Sequence, residues 1–322
     1  MHRYFLIPII SFFIIICGFV IYMQFINEDW KYLVPQTILP ETCDDNGDVK
    51  FVIHDEDHID GRSFQDKEDT FNGNQFHAIY LLPCERKDRR FDVRLNIETS
   101  LVSINKWFFE KSAKQEINFD KNNENKIDVT FLRVNKTMNW FINKTKENDK
   151  KNVTEIIEEI ILNNNNLFNN FDIKKFIIFF EGWEKRKYLN FDICGTSRFN
   201  GKISIYYTFS AFKKYIGDDI ILKNRKKIFS CTKNDHLNDN GDYKFGDAEA
   251  TILHEILHTL GAPSQCAKNI DPTSPFHILD NKNDILNKES GNMFLDYKND
   301  DYYNHNISGC YDLKDSNFLI SK

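Results

Sequence analysis

An excess of positive charge is lacking in this sequence. Its 322 residues carry 42 Lys and Arg against 48 Asp and Glu, a net charge of −6. No basic cluster offsets that balance, because Asp88 separates Arg86–Lys87 from Arg89–Arg90 and Arg225–Lys227 is only three residues long. A phosphate backbone is gripped by a basic face, so nucleic acid is excluded as the expected partner. Internal repeats are absent, which excludes a repeat array. A small-residue cleavage site is missing after the apolar run near the N-terminus, which weighs against a removed signal peptide. Ile16 precedes Cys17 where a lipoprotein signal needs a small residue, so lipidation there is excluded as well. The loop Asp44-Asp45-Asn46-Gly47-Asp48 has the composition of a calcium loop, but its glycine is misplaced for an EF-hand and a turn is expected.

Apolar residues, by contrast, are plentiful at 41%, enough for a sizeable core. Phe5 to Phe25 is almost wholly apolar, broken only by Pro8, Ser11, Gly18 and Gln24. About 20 such residues cross a bilayer as a helix. Arg3 precedes the run while Glu28 and Asp29 follow it. That asymmetry predicts a single-pass membrane anchor over 1–26, with the body periplasmic or extracellular, or secreted if the segment is cleaved. Outside this run stand six cysteines, Cys43, Cys84, Cys194, Cys231, Cys266 and Cys310. An even set in an exported domain reads as disulfides, with Cys194–Cys231 and Cys266–Cys310 the first pairs to expect.

Residues 27–74 are polar and turn-rich, and read as a linker or N-terminal extension. From 75 onward strand-like and helix-like runs alternate. Gln75–Pro83, Ile127–Val134 and Lys175–Phe180 are expected strands, and Lys202–Phe209 an edge strand. Val93–Lys111 and Val153–Phe168 are expected helices. Asp247 opens a further helix as its N-cap, and Gly261-Ala262-Pro263 stops it. Alternation followed by a loop-rich tail predicts one mixed α/β domain over 75–322.

The stretch Thr251-Ile252-Leu253-His254-Glu255-Ile256-Leu257-His258-Thr259-Leu260-Gly261 carries the chemistry. His254 and His258 stand four residues apart and project from one helix face, so two imidazoles can share one zinc. Glu255, about 100° around the helix, can flank the metal without ligating it and take a proton from activated water. Ile252, Leu253, Ile256, Leu257 and Leu260 form the opposite stripe that packs the helix on the core. A catalytic zinc needs a third protein ligand. His277 is the only histidine between His258 and His305 and completes an all-histidine site; Asp280, Asp284, Glu289 and Cys266 stay open as alternatives.

These residues resemble the zincins, on their metzincin side, where the motif runs H-E-x-x-H-x-x-G. Ser264 stands where metzincins place the third ligand. The segments Cys194-Gly195, His254–Pro263, His277–Leu286 and Leu295–Tyr303, with Glu181-Gly182, are similar to a group of exported bacterial proteins. The resemblance implies a zincin-like α+β fold: a mixed twisted sheet with two backing helices, an active-site helix and a loop-rich C-terminal subdomain. It also implies a zinc metallopeptidase acting on peptides or proteins, with His254, His258 and His277 as ligands and Glu255 as base. Asp280 and Asp284 match the group's acidic positions, and Leu286 replaces its methionine, whose role can pass to Met293. An inactive zincin-fold binding protein and an amidase of cell-wall peptides are the alternative readings. Asp296, Asp300, Asp301, Tyr302 and Tyr303 form a cluster that can bind calcium or supply a tyrosine to an oxyanion, or simply be a capped turn.

Overall fold

Strands with apolar side chains on both faces must be covered on both sides, and helices cover them here. The structure, a computed structural model, describes residues 41–147, 151–182, 184, 193–208, 245–288 and 291–322. The chain order is β1 (Gln75–Leu82), α1 (Asn96–Lys111), β2 (Gln115–Ile117), β3 (Val129–Arg133), α2 (Met138–Glu147), α3 (Val153–Leu162), β4 (Lys174–Phe180), β5 (Gly195–Ser197), β6 (Ile203–Tyr207), α4 (Asp247–Thr259) and β7 (Leu319–Ser321). Five strands form one sheet in the order β3-β1-β4-β6-β5, parallel except for β5 against β6. The β2–β7 pair is a separate antiparallel ribbon. This is the expected α+β architecture with a mixed sheet.

Alternation along each strand divides the core into two layers. Phe76, Ala78, Tyr80, Phe179 and Tyr206 face α1 and α4, meeting Leu101, Ile104, Ile252 and Ile256. Ile79, Leu81, Ile178, Phe180 and Tyr207 face α2 and α3, meeting Phe141, Ile157 and Ile161. The helix α4 therefore lies on the sheet through the stripe expected of it. Its start differs from expectation: Gly246 is the N-cap and Asp247 the first helical residue. Glu249 does the capping instead, accepting from the Gly246 N–H at 3.0 Å and from Ser100 of α1 at 2.7 Å.

The strand over Lys202–Phe209 is not an edge. As β6 it pairs on both sides, and β5 is the outer strand among the described residues. Residues 42–322 form one unit. Within it, Cys43–Cys84 ties the early segment to the end of β1. The buried Arg133 of β3 makes a paired hydrogen bond to the buried Asp57, at 2.7 and 2.9 Å. Cys266–Cys310 forms as expected. Cys194 is disulfide-bonded too, while its expected partner Cys231 lies outside the described residues.

The membrane anchor expected from the N-terminal run is corrected. No helix among the described residues is long and apolar enough to cross a membrane. The run Phe5–Phe25 itself lies outside those residues. The disulfides fit an oxidising, extracellular compartment.

Candidate metal centre

His254 and His258 sit one turn apart on α4, and the loop after the helix brings His277 to them. One nitrogen from each of the three rings lies within 4.8 Å of the others. The ring centroid of His277 is 5.1 Å from that of His254 and 5.3 Å from that of His258.

Hydrogen bonds decide the tautomers of the first two rings. His254 Nδ1 lies 2.7 Å from the carbonyl oxygen of Ile285, and His258 Nδ1 lies 2.9 Å from that of Ala262. A carbonyl can only accept, so each Nδ1 carries the proton; the assignment follows from the partners. Burial, with His258 and His277 nearby, holds the His254 ring well below the usual imidazole range. Burial likewise pushes His258 down to about 4. Both rings are therefore neutral at pH 7, and neither Nε2 bears a proton. Yet the two Nε2 atoms face each other at 2.9 Å. Two lone pairs at that distance repel unless a cation lies between them. Nitrogens on one tetrahedral zinc at 2.0–2.1 Å stand about 3.3 Å apart, so the donor set fits such an ion after a small opening.

The backbone explains how these partners arrive. Gly261 adopts φ +84°, left-handed backbone that favours glycine. The reversal sets the Ala262 N–H on the Leu257 carbonyl at 3.0 Å and turns the Ala262 carbonyl back to His258. Asp271 holds the His277 turn: its carboxylate accepts from the N–H and hydroxyl of Thr273, both at 2.7 Å, and its own N–H donates to the His277 carbonyl at 2.8 Å. Ser274 Oγ lies 2.7 Å from His277 Nδ1.

Glu255 is buried, and Ser197 of β5 donates to its Oε2 at 2.7 Å. Gly195 makes room for it. A Cβ at 195 would stand 2.7 Å from Glu255 Cγ and 3.0 Å from Oε1. Gly195→Ala is expected to shift this carboxylate and to lower any hydrolysis about a hundredfold, since displacements of ~1 Å have that effect. Turnover of the variant beside the parent checks this, with metal content as the control.

The other candidates fall elsewhere. Ser264 Oγ lies 3.0 and 2.8 Å from the sulfurs of Cys266 and Cys310, so residue 264 packs on that disulfide and Cys266 is bonded. Glu289 lies outside the described residues. Asp284 is fully buried and accepts from the N–H groups of Leu286 and Tyr297 and from the Tyr302 hydroxyl, each at 2.8 Å. It thereby shapes the loop whose Ile285 carbonyl orients His254. Leu286 is buried there, whereas Met293 is half exposed.

Burial pushes the Asp284 carboxyl up to about 7 from an ordinary value near 3.8. A raised acid stabilises the fold fully below its unfolded pKa and loses that contribution as pH rises towards the folded one. The melting-temperature advantage of the parent over Asp284→Asn is expected to be greatest near pH 4 and to shrink by pH 8. A constant difference across that series would mean that the group stays ionised.

Tyr302 and Tyr303 are buried in a turn whose N–H groups cap on Asp296, each at 2.7 Å. Their hydroxyls bond Asp284 and Gln115, so of the alternatives expected of this cluster the structure shows the capped turn with buried tyrosines. Asp300 and Asp301 face Asp280 and form a three-carboxylate group that could hold a metal ion. Sequence reading missed a third group, Asp66, His77, Asp120 and Asp128, all buried. The Lys174 ammonium reaches Asp66 and Asp120 at 2.6 and 2.7 Å and already supplies a cation to those carboxylates.

No family model matches this chain, and no curated protein does. Among solved structures, one match is described as catalytically inactive OgpA from Akkermansia muciniphila in complex with an O-glycopeptide substrate. It is 10% identical with a TM-score of 0.34, and the match covers 70% of this chain and 53% of that one. The chain thus spans about half the length of that protein. A likeness this distant assigns no activity.

Proposed function

We propose that this chain is a zinc-dependent metallopeptidase that hydrolyses peptide bonds. The observation that carries the reading is the pair of neutral imidazoles whose Nδ1 protons are committed to carbonyls while their Nε2 lone pairs converge at 2.9 Å. His254, His258 and His277 would hold the ion. Three protein ligands leave a fourth position open, as catalytic zinc requires. A bound zinc supplies Lewis acidity, lowering the pKa of water and polarising a carbonyl.

The chain's own groups do the rest. Glu255, on the same helix and outside the donor set, takes the proton from the attacking water and delivers it to the leaving amine. Ser197 holds that carboxylate through Oε2. The non-catalytic alternative rests on Ser264 in place of a ligand; His277, which offers a third nitrogen, favours the enzyme.

Metal analysis of the purified full chain, with digestion of a mixed protein and muropeptide panel, tests the proposal. About one zinc per chain is expected, with cleavage that stops on chelation and returns with added zinc. Absence of bound metal, or of any cleavage by metal-loaded protein, overturns it. Cleavage confined to muropeptides selects the cell-wall amidase instead.

A further inference from the structure

Phe276 immediately precedes His277, and its ring stands 6.5 Å from that of His258, edge-on. Phe199 follows β5 in the turn to β6. That turn is docked on the end of the active-site helix, because the Asn200 N–H donates to the His258 carbonyl at 2.8 Å. The two phenyl rings stack on each other, centroids 5.3 Å apart at 30°. Both rings are partly exposed, Phe199 by 37% and Phe276 by 41%. Tyr311, 40% exposed, stands nearby. A Cβ on Gly261 would lie 3.9 Å from Phe199 and 4.0 Å from Tyr311, at ordinary van der Waals distance from both, so the two rings flank this turn.

Apolar surface left in water is unfavourable, and a contiguous patch beside a polar centre marks a place where something apolar binds. Charge points the same way. Arg198, next to Phe199 in sequence, is ion-paired with Glu158 at 3.1 Å and so is already engaged by a carboxylate.

We infer that Phe199 and Phe276 form a subsite for one large apolar side chain, aromatic or aliphatic, of the peptide substrate, and so set the cleavage preference. This rests on the peptidase reading above. The occupant would stack on the exposed ring faces while its backbone lies near the three histidines.

The test uses the zinc-loaded full chain and fluorescent peptides that differ only in one residue flanking the scissile bond: Phe, Leu, Ser or Asp. Turnover and binding by fluorescence anisotropy are both measured, for the parent, Phe199→Ala, Phe276→Ala and the two Phe→Leu variants. The parent is expected to favour Phe and Leu peptides. Each Ala variant should lose roughly tenfold to a hundredfold on those peptides and little on the Ser peptide, the range a hydrophobic pocket can discriminate. Zinc content should not change, and Leu should restore most of the preference. An undiminished preference for apolar peptides in both Ala variants overturns the subsite. If no peptide is cleaved, the peptidase reading fails by itself, and anisotropy still decides the subsite: selective loss of apolar-peptide binding supports it, and equal binding overturns it. Phe199→Lys, at an exposed position, adds an independent check by shifting preference towards the Asp peptide.

Discussion

Glu255→Gln is expected to abolish measurable hydrolysis while the protein folds normally and keeps its metal. The side chain is not among the converging donors, which are His254, His258 and His277. Glutamine preserves the shape that Gly195 accommodates and can still accept the hydrogen bond from Ser197. Only the capacity to take a proton disappears. General acid–base groups contribute about 10²–10⁴-fold, so kcat should fall by at least that order. Zinc content and melting temperature, read on the same sample, separate this from misfolding. Turnover near that of the parent would falsify the general-base role.

The second large effect belongs to the imidazoles. His258→Ala and His277→Ala should each weaken zinc binding by more than about a hundredfold, beyond the 10–100-fold attributed to partners outside the coordination shell. Hydrolysis should vanish with the metal. A ligand that binds only the folded state raises stability by mass action, so added zinc should raise the melting temperature of the parent and leave both variants unmoved. His277→Ala is the cleaner case, because His277 is only partly buried and its removal leaves a smaller void than loss of the buried His258. Unchanged stoichiometry in either variant would remove that residue from the site.

The helix α4 was legible because three independent signals coincide along and just beyond its 13 residues: histidines at helical spacing, an apolar stripe opposite them and a glycine stop. β4 was legible as a continuous apolar run and β1 as a short β-rich run, and helices bury both on their two faces. β5 was not. Gly195-Thr196-Ser197 has no strand character of its own and is drawn into the sheet by pairing with β6, so the outer position was assigned to the wrong strand. α2 went unnoticed because its apolar residues, Met138, Trp140, Phe141 and Ile142, are confined to its first half and Asn143–Glu147 is polar. The Cys43–Cys84 bond spans 41 residues with no local cue to its pairing. His277 could be named by elimination among histidines, but the fold that delivers it depends on Asp271 and on the loop around Asp284, where no periodicity exists. The aromatic pair Phe199–Phe276 joins residues 77 positions apart and shows only in three dimensions.

The contacts that orient His254 and His258 have a consequence for how this centre can change over time. Both rings lean on main-chain oxygens, at Ile285 and Ala262, rather than on carboxylate side chains. Every amino acid carries a carbonyl, so substitutions at 262 and 285 that preserve the loop path leave ring orientation untouched. Insertions or deletions that slide either loop by one residue would disturb it at once. Length, more than identity, is what these two loops must keep.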